Sequence, residues 1–214
     1  MALPPRIALA THNPHKLREL ARICADWPVE WVSVRSHDPG DFPDVEESGA
    51  TYLDNAALKA HAVADALDLP ALADDSGIEV DALGGRPGPR SARYAGEGAS
   101  DAENLRALIQ AIRGTPAAGR TGRYRCVAAL AWPGEALVSV EGICEGTLRT
   151  TPAGDGGFGY DPIFVPVGWD VTMAELADEQ KDRISHRGRA FRGLRETLEA
   201  TAEPGHPEGL PNSR

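Results

Sequence analysis

The chain has 214 residues, 42% hydrophobic and 25% charged, with a formal net charge of -10. That length can bury a sizeable core in one large domain or two small lobes, and the balance is that of an ordinary soluble globular protein. The acidic excess argues against a general nucleic-acid binder, and no apolar run approaches the roughly 18 residues a membrane span needs.

The elements follow in chain order. "RIALA" (6–10) reads as a short buried strand, and "THNPHK" turns the chain into an amphipathic helix with Leu17, Leu20, Ala21 and Cys24 on one face. "EWVSV" (30–34) suggests a second strand, and 36–49 a polar loop. A capping pattern, Thr51 with Asp54, opens an Ala-rich helix to about Leu67, ended by Pro70. Two short strands, 71–74 and 78–82, are expected to flank Asp75-Ser76-Gly77. Ser100 and Glu103 cap a further helix that stops near Gly114. Residues 123–132 and 136–149 read as strands joined at Pro133-Gly134. A Gly-rich stretch (153–162), a short strand (163–165) and helical segments from about Thr172 to Ala200 complete the pattern. Helices alternating with strands, plus one hairpin, predict an α/β fold with a mixed sheet.

Residues 1–202 are expected to form one unit and the Pro/Gly-rich residues 203–214 a disordered tail. Cys24, Cys126 and Cys144 form no CxxC pair and read as reduced, partly buried thiols of a cytoplasmic protein. "MALPPRIALA" lacks an apolar core and carries Arg6, so it does not read as a secretory signal.

Four stretches carry candidate chemistry. In "THNPHK", Asn13 suits an N-cap and Pro14 the first helical position. A strand-to-helix loop also gathers N–H groups and a positive dipole end, which suits phosphate. Lys16 opposes that dipole unless an anion sits there. The GxxxxGK spacing of a P-loop is absent.

The acids Glu46, Glu47, Asp74 and Asp75 form the second group. Successive strand side chains point to opposite faces, so only one of Asp74 and Asp75 need enter a site; the other can bond to backbone or cap a turn at Gly77. A carboxylate at a strand end can hold Mg²⁺, which binds through one or two carboxylates plus substrate phosphates.

In "GGFGYDP" (156–162), glycines beside Phe158 and Tyr160 permit a flat ligand to approach, and Asp161 could accept from a base or sugar. In "KDRISHRGRAF" (181–191), Ser185 can serve as a helix cap, while Lys181, His186 and Arg187 offer donors to phosphate or a keto oxygen.

The motifs "ATHNPHK" (10–16), "EESGATYLDNAALKA" (46–60), "ADDSGIEVDALGGRPGPRSARYAG" (73–96), "GFGYDPIFVP" (157–166) and "MAELADEQKDRISHRGRAF" (173–191) resemble, in order, the inosine triphosphate pyrophosphatases, also called the Ham1-like family. One departure is Asp54, where that family usually has Glu; the charge is kept. The resemblance implies a two-lobed α/β fold with a long central sheet and a cleft between the lobes. It also implies a homodimer and Mg²⁺-dependent hydrolysis of non-standard purine nucleoside triphosphates (ITP, dITP, XTP) to the monophosphate and pyrophosphate. Carried over by position, Thr11, Asn13 and Lys16 would hold the phosphates, and His12, Pro14 and His15 of the same loop would bind substrate. Glu47 and Asp75 would serve the metal, and Asp75 would accept the proton of the attacking water. Ser76 would touch substrate. Phe158, Gly159, Tyr160, Asp161, Lys181, His186 and Arg187 would line the base and its neighbouring sugar and phosphate.

Three rivals are weaker. A Maf-like pyrophosphatase is disfavoured by "SHRG" and "FGYDP". An aspartyl-phosphate phosphatase would need DxDx[TV] after the first strand, which is missing. A nucleotide-sensing module would have no use for Asp75 and Glu47.

Overall fold

The computed structural model describes residues 3–34, 42–135 and 137–201. Six strands, β1 (Arg6–Leu9), β2 (Glu30–Val32), β3 (Ala71–Val80), β4 (Thr121–Ala131), β5 (Val138–Leu148) and β6 (Phe164–Pro166), form one mixed sheet in the order β2-β1-β3-β4-β5-β6. β1 runs parallel to β2 and β3, and the pairs from β3 through β6 are antiparallel. Five helices accompany them: α1 (Pro14–Ile23), α2 (Tyr52–Leu67), α3 (Asp101–Ile112), α4 (Asp178–Ile184) and α5 (His186–Ala200). The α/β class and mixed sheet expected from the pattern are therefore present.

The helix starts follow local chemistry. Asn13 Oδ1 accepts from the N–H groups of His15 and Lys16, with Pro14 at the first helical position. Thr51 with Asp54 and Ser100 with Glu103 each close a reciprocal capping box. Such a cap contributes about 1 kcal/mol. Ser185 ends α4 and caps α5 through its Oγ, which accepts from Gly188 N–H at 3.0 Å. The helix α2 ends before Pro70, because Asp68 already adopts a left-handed conformation at φ 50°.

Alternation along β3 assigns the two sheet faces. Ala71 and Ala73 pack with Ala56, Ala60 and Val63 of α2. Leu72 faces the other way, into Leu17 and Leu20 of α1 and Phe191, Leu194 and Leu198 of α5. Ile78 and Val80 continue that second face into a cluster with Leu108, Ile112 and Phe164. The helix α5 lies close on β5 because residue 142 is glycine; a Cβ there would collide with the backbone of His186 and Ala190.

One expected break is absent. Residues 71–74 and 78–82 were expected as two strands, yet Ala71–Val80 is a single strand. β4 pairs with it at every step, including Asp75 with Val127, Ser76 with Cys126 and Gly77 with Arg125. Ser-Gly signals a turn locally, but the long partner strand supplies the missing constraint. There is accordingly no turn at Gly77 for Asp74 to cap. All three cysteines are free and buried. Part of the expected 36–49 loop and the whole expected tail lie outside the described residues.

Candidate active site

A cavity of about 390 Å³ opens between the start of α1, the middle of β3 and the 158–161 loop. Fourteen of the sixteen candidate residues line it; Pro14 and His15 do not. Motifs separated by more than 170 residues in the chain thus converge on one space.

The two central acids diverge as strand geometry requires. Asp74, 1% exposed, points toward α1 and α5. Its Oδ2 pairs with Lys16 Nζ at 3.1 Å and Arg187 Nη2 at 3.1 Å. Burial alone would raise its pKa, but Lys16, Arg187 and Lys59 outweigh burial and hold it well below the usual range. Asp74 is therefore a fixed anion. It is also the anion that Lys16 answers in this structure, where the sequence suggested only a ligand.

Asp75, 4% exposed, points toward α2. Its Oδ1 accepts from Ser76 N–H at 3.0 Å and its Oδ2 from Asn55 Nδ2 at 3.0 Å. The Lys59 ammonium stands 3.8 Å from Asp75 Oδ1 and 2.6 Å from Glu47 Oε1. Burial raises the Asp75 pKa, nearby Glu47 adds to the rise, and Lys59 and Lys16 offset it only in part. Glu47 moves the opposite way: burial would raise it, but Lys59 holds it below the usual range. Two carboxylates gathered on one ammonium are a donor set suited to a hard divalent cation with phosphate oxygens completing its shell.

The start of α1 is less open than its sequence suggests. Asn13 Oδ1 already accepts from His15 N–H at 2.8 Å and Lys16 N–H at 3.3 Å. Thr11 Oγ1 accepts from Asn13 N–H at 3.2 Å. A phosphate here would meet the Thr11, His12, Asn13 and Lys16 side chains as well as backbone.

At the other end of the cavity, Lys181 Nζ sits 2.6 Å from both Asp161 Oδ2 and Glu19 Oε1. Arg187, 2% exposed, donates to Glu19, Asp74 and Ser76. The Phe158 ring lies 5.2 Å from Lys181 Nζ and 5.7 Å from Arg187 Cζ. Tyr160 Oη donates to Ser91 O at 2.7 Å. His186 stacks on Tyr124, with ring centroids 4.5 Å apart and planes 9° from parallel. Burial and neighbouring Arg187 hold the His186 pKa well below its ordinary value, so it is neutral at pH 7. As a neutral imidazole it carries one N–H donor and one acceptor.

Sequence reasoning missed Glu19, Asn55 and Lys59. Asn55 and Lys59 sit four apart on α2, the spacing that puts two side chains on one helix face. Glu19 neighbours the apolar stripe of α1, yet is only 5% exposed. Burial would raise its pKa, but Arg187 and Lys181 pull it down to about 2. The need for this acid becomes apparent only in the structure, where the Lys181 and Arg187 cations are both buried beside it.

Sequence comparison agrees with this arrangement. A relative from Geobacillus kaustophilus named dITP/XTP pyrophosphatase is 48% identical over 193 residues, 90% of this chain and 94% of that protein. One of the same name from Streptomyces avermitilis is 49% identical over 189 residues, 88% of this chain and 94% of that protein. The structure of a HAM1 protein from Coxiella burnetii superposes with a TM-score of 0.81 at 37% identity, covering 92% of this chain and all of that one. The family model described as Ham1 family matches residues 7–197, which contain every residue of the cavity, so the chain belongs to the Ham1 family.

Proposed function

We propose that this chain hydrolyses non-standard purine nucleoside triphosphates, ITP, dITP and XTP, to the monophosphate and pyrophosphate. The observation that carries the reading is the split of Asp74 and Asp75: one a fixed anion, the other a carboxylate of raised pKa facing a cavity that also holds Lys16, Lys59 and Glu47. The names of the relatives point the same way.

In this reading Lys16, with Thr11, His12 and Asn13, binds the phosphate chain and neutralises charge that develops on it. Asp75 orients a water and takes its proton as the water oxygen bonds to the α-phosphorus. The bond from the α-phosphorus to the bridging oxygen breaks, and pyrophosphate leaves with that electron pair. A carboxylate of ordinary pKa is a weak base at pH 7; burial of Asp75 makes it a stronger one. Activity then rises as pH increases through the raised Asp75 pKa. Glu47 and Asp75 would hold Mg²⁺, which when bound supplies charge neutralisation at the phosphates.

The base end has donors in reserve. An ammonium has three N–H bonds and Lys181 uses two, on Asp161 and Glu19. A guanidinium has five and Arg187 spends four, on Asp74, Glu19 and Ser76. Donors held this way match the C6 keto oxygen of hypoxanthine and xanthine and oppose the amino group of adenine. The C6 oxygen does not distinguish guanine, so GTP must be refused at C2.

The same reading treats residues 1–202 as one two-lobed unit acting as a homodimer in the cytoplasm. The free, buried cysteines support a reducing compartment. Among the described residues no helix is long and apolar enough to cross a membrane. The test is a panel of ITP, dITP, XTP, GTP and ATP with Mg²⁺, followed for pyrophosphate and orthophosphate. Pyrophosphate from the first three and little from ATP is expected; orthophosphate release, or equal rates on ATP and ITP, would contradict the reading.

A further inference from the structure

The loop that carries Phe158 hangs between two carboxylates. Asp161 Oδ2 accepts from Phe158 N–H at 3.0 Å, and Asp101 Oδ2 accepts from Gly159 N–H at 3.1 Å. Asp161 belongs to the buried Lys181 pair. Asp101 comes from a different element, the first turn of α3, and shares the cavity wall.

That turn is itself well fixed. Ser100 and Glu103 close their capping box around it. Asn104, 2% exposed, donates to Ala92 O at 2.9 Å and accepts from Ala95 N–H at 2.8 Å. The Asp101 carboxylate is thus presented from a rigid support to the Gly159 side of a loop whose other side is tied by Asp161, which accepts from Phe158 N–H and donates its own N–H to Phe158 O. Gly159 has φ 61°, a conformation glycine adopts without strain and also leaves easily.

We propose that Asp101 is a positioning residue for purine recognition: by holding the 158–159 peptide it sets the Phe158 ring as the face on which a flat base stacks. The inference rests on the pyrophosphatase reading above. The ring stands 5.2 Å from the His15 ring, 5.2 Å from the Lys181 ammonium and 5.7 Å from the Arg187 guanidinium carbon, so a small rotation of the peptide moves it away from the donors that face a base. A loop that must be ordered on binding weakens affinity. Asp101 could alternatively act only as an acidic first-turn residue that favours α3. That role would change stability and leave recognition alone.

The experiment compares wild type, Asp101→Asn and Asp101→Ala on dITP with Mg²⁺, and measures inhibition by inorganic pyrophosphate, which has no base. Loss of one charge-assisted contact raises KM about tenfold in Asp101→Ala, with kcat within about twofold. The inhibition constant of pyrophosphate stays unchanged. Asp101→Asn remains near wild type, because its amide oxygen still accepts. If Asp101→Ala fails to fold, Asp101→Ser, which suits a helix start but is too short to reach Gly159, is read in its place. An unchanged KM, a parallel rise in KM and pyrophosphate inhibition constant, or an Asn variant no better than Ala overturns the inference. If wild type releases no pyrophosphate from dITP, the activity reading fails. The inference is then decided by the dissociation constant of dITP, with the same tenfold ratio expected between variant and wild type; no binding by wild type overturns it too.

Discussion

Asp74 and Asp75 are neighbours in sequence and opposites in chemistry. On the α1/α5 side of β3, Asp74 meets two cations at contact distance. On the α2 side, Asp75 meets a neutral amide, a backbone N–H and a lysine 3.8 Å away that is already committed to Glu47. Both are almost fully buried, so burial alone does not separate them. The helix behind each face does. One face stores a negative charge that organises Lys16 and Arg187, and the other leaves a carboxylate able to take a proton.

The largest effect expected from this contrast is on turnover. Asp75→Asn should lower kcat by about 10²–10⁴, the range for a lost general base, while KM changes little. Steady-state kinetics on dITP measure it; near-wild-type kcat would remove Asp75 from the chemistry. Asp74→Ala should act mainly on stability. It leaves Lys16 without its carboxylate and Arg187 with Glu19 as its remaining anion, a loss of about 3–5 kcal/mol, seen in chemical denaturation. A variant as stable as wild type would break the contrast from the other side.

Acid should probe the same face. The folded pKa of Glu19 is depressed from 4.5 to about 2, so its contribution is complete above pH 4.5 and is lost as pH falls toward 2. Glu19→Gln should flatten the stability curve in that window. Lys59→Met is the smallest expected change and the sharpest comparison. Burial raises the Asp75 pKa and Lys59 offsets it, so removing the ammonium should shift the acid limb of kcat/KM to higher pH. An unshifted limb would assign that limb to another group.

Much of the fold was legible because its signals are local. The capping boxes at Thr51 and Ser100, the Pro133-Gly134 turn between β4 and β5, and the Leu17, Leu20 and Cys24 positions of the α1 stripe all rest on neighbours within a few residues, while Ala21 of that stripe is exposed. The period-two rule likewise foresaw that Asp74 and Asp75 would part. Other features depend on distant chain. Ser76-Gly77 reads as a turn until β4 is laid beside it, and Lys16 reads as awaiting a ligand until Asp74, 58 residues on, is folded against it. His186 reads as a donor, yet lies buried flat against Tyr124 beside a fixed cation and stays neutral. Glu19 is visible only once both α1 and α5 are in place, since its partner Arg187 is 168 residues away.

The most direct test is carbon-13 NMR titration of the Asp74 and Asp75 side-chain carboxyls in the ligand-free protein. Asp75 should titrate above the ordinary aspartate value of 3.8, and Asp74 should stay ionised to the acid limit of the folded state. Asp75 titrating at or below 3.8, or Asp74 titrating above Asp75, would contradict the division of labour between the two faces of β3.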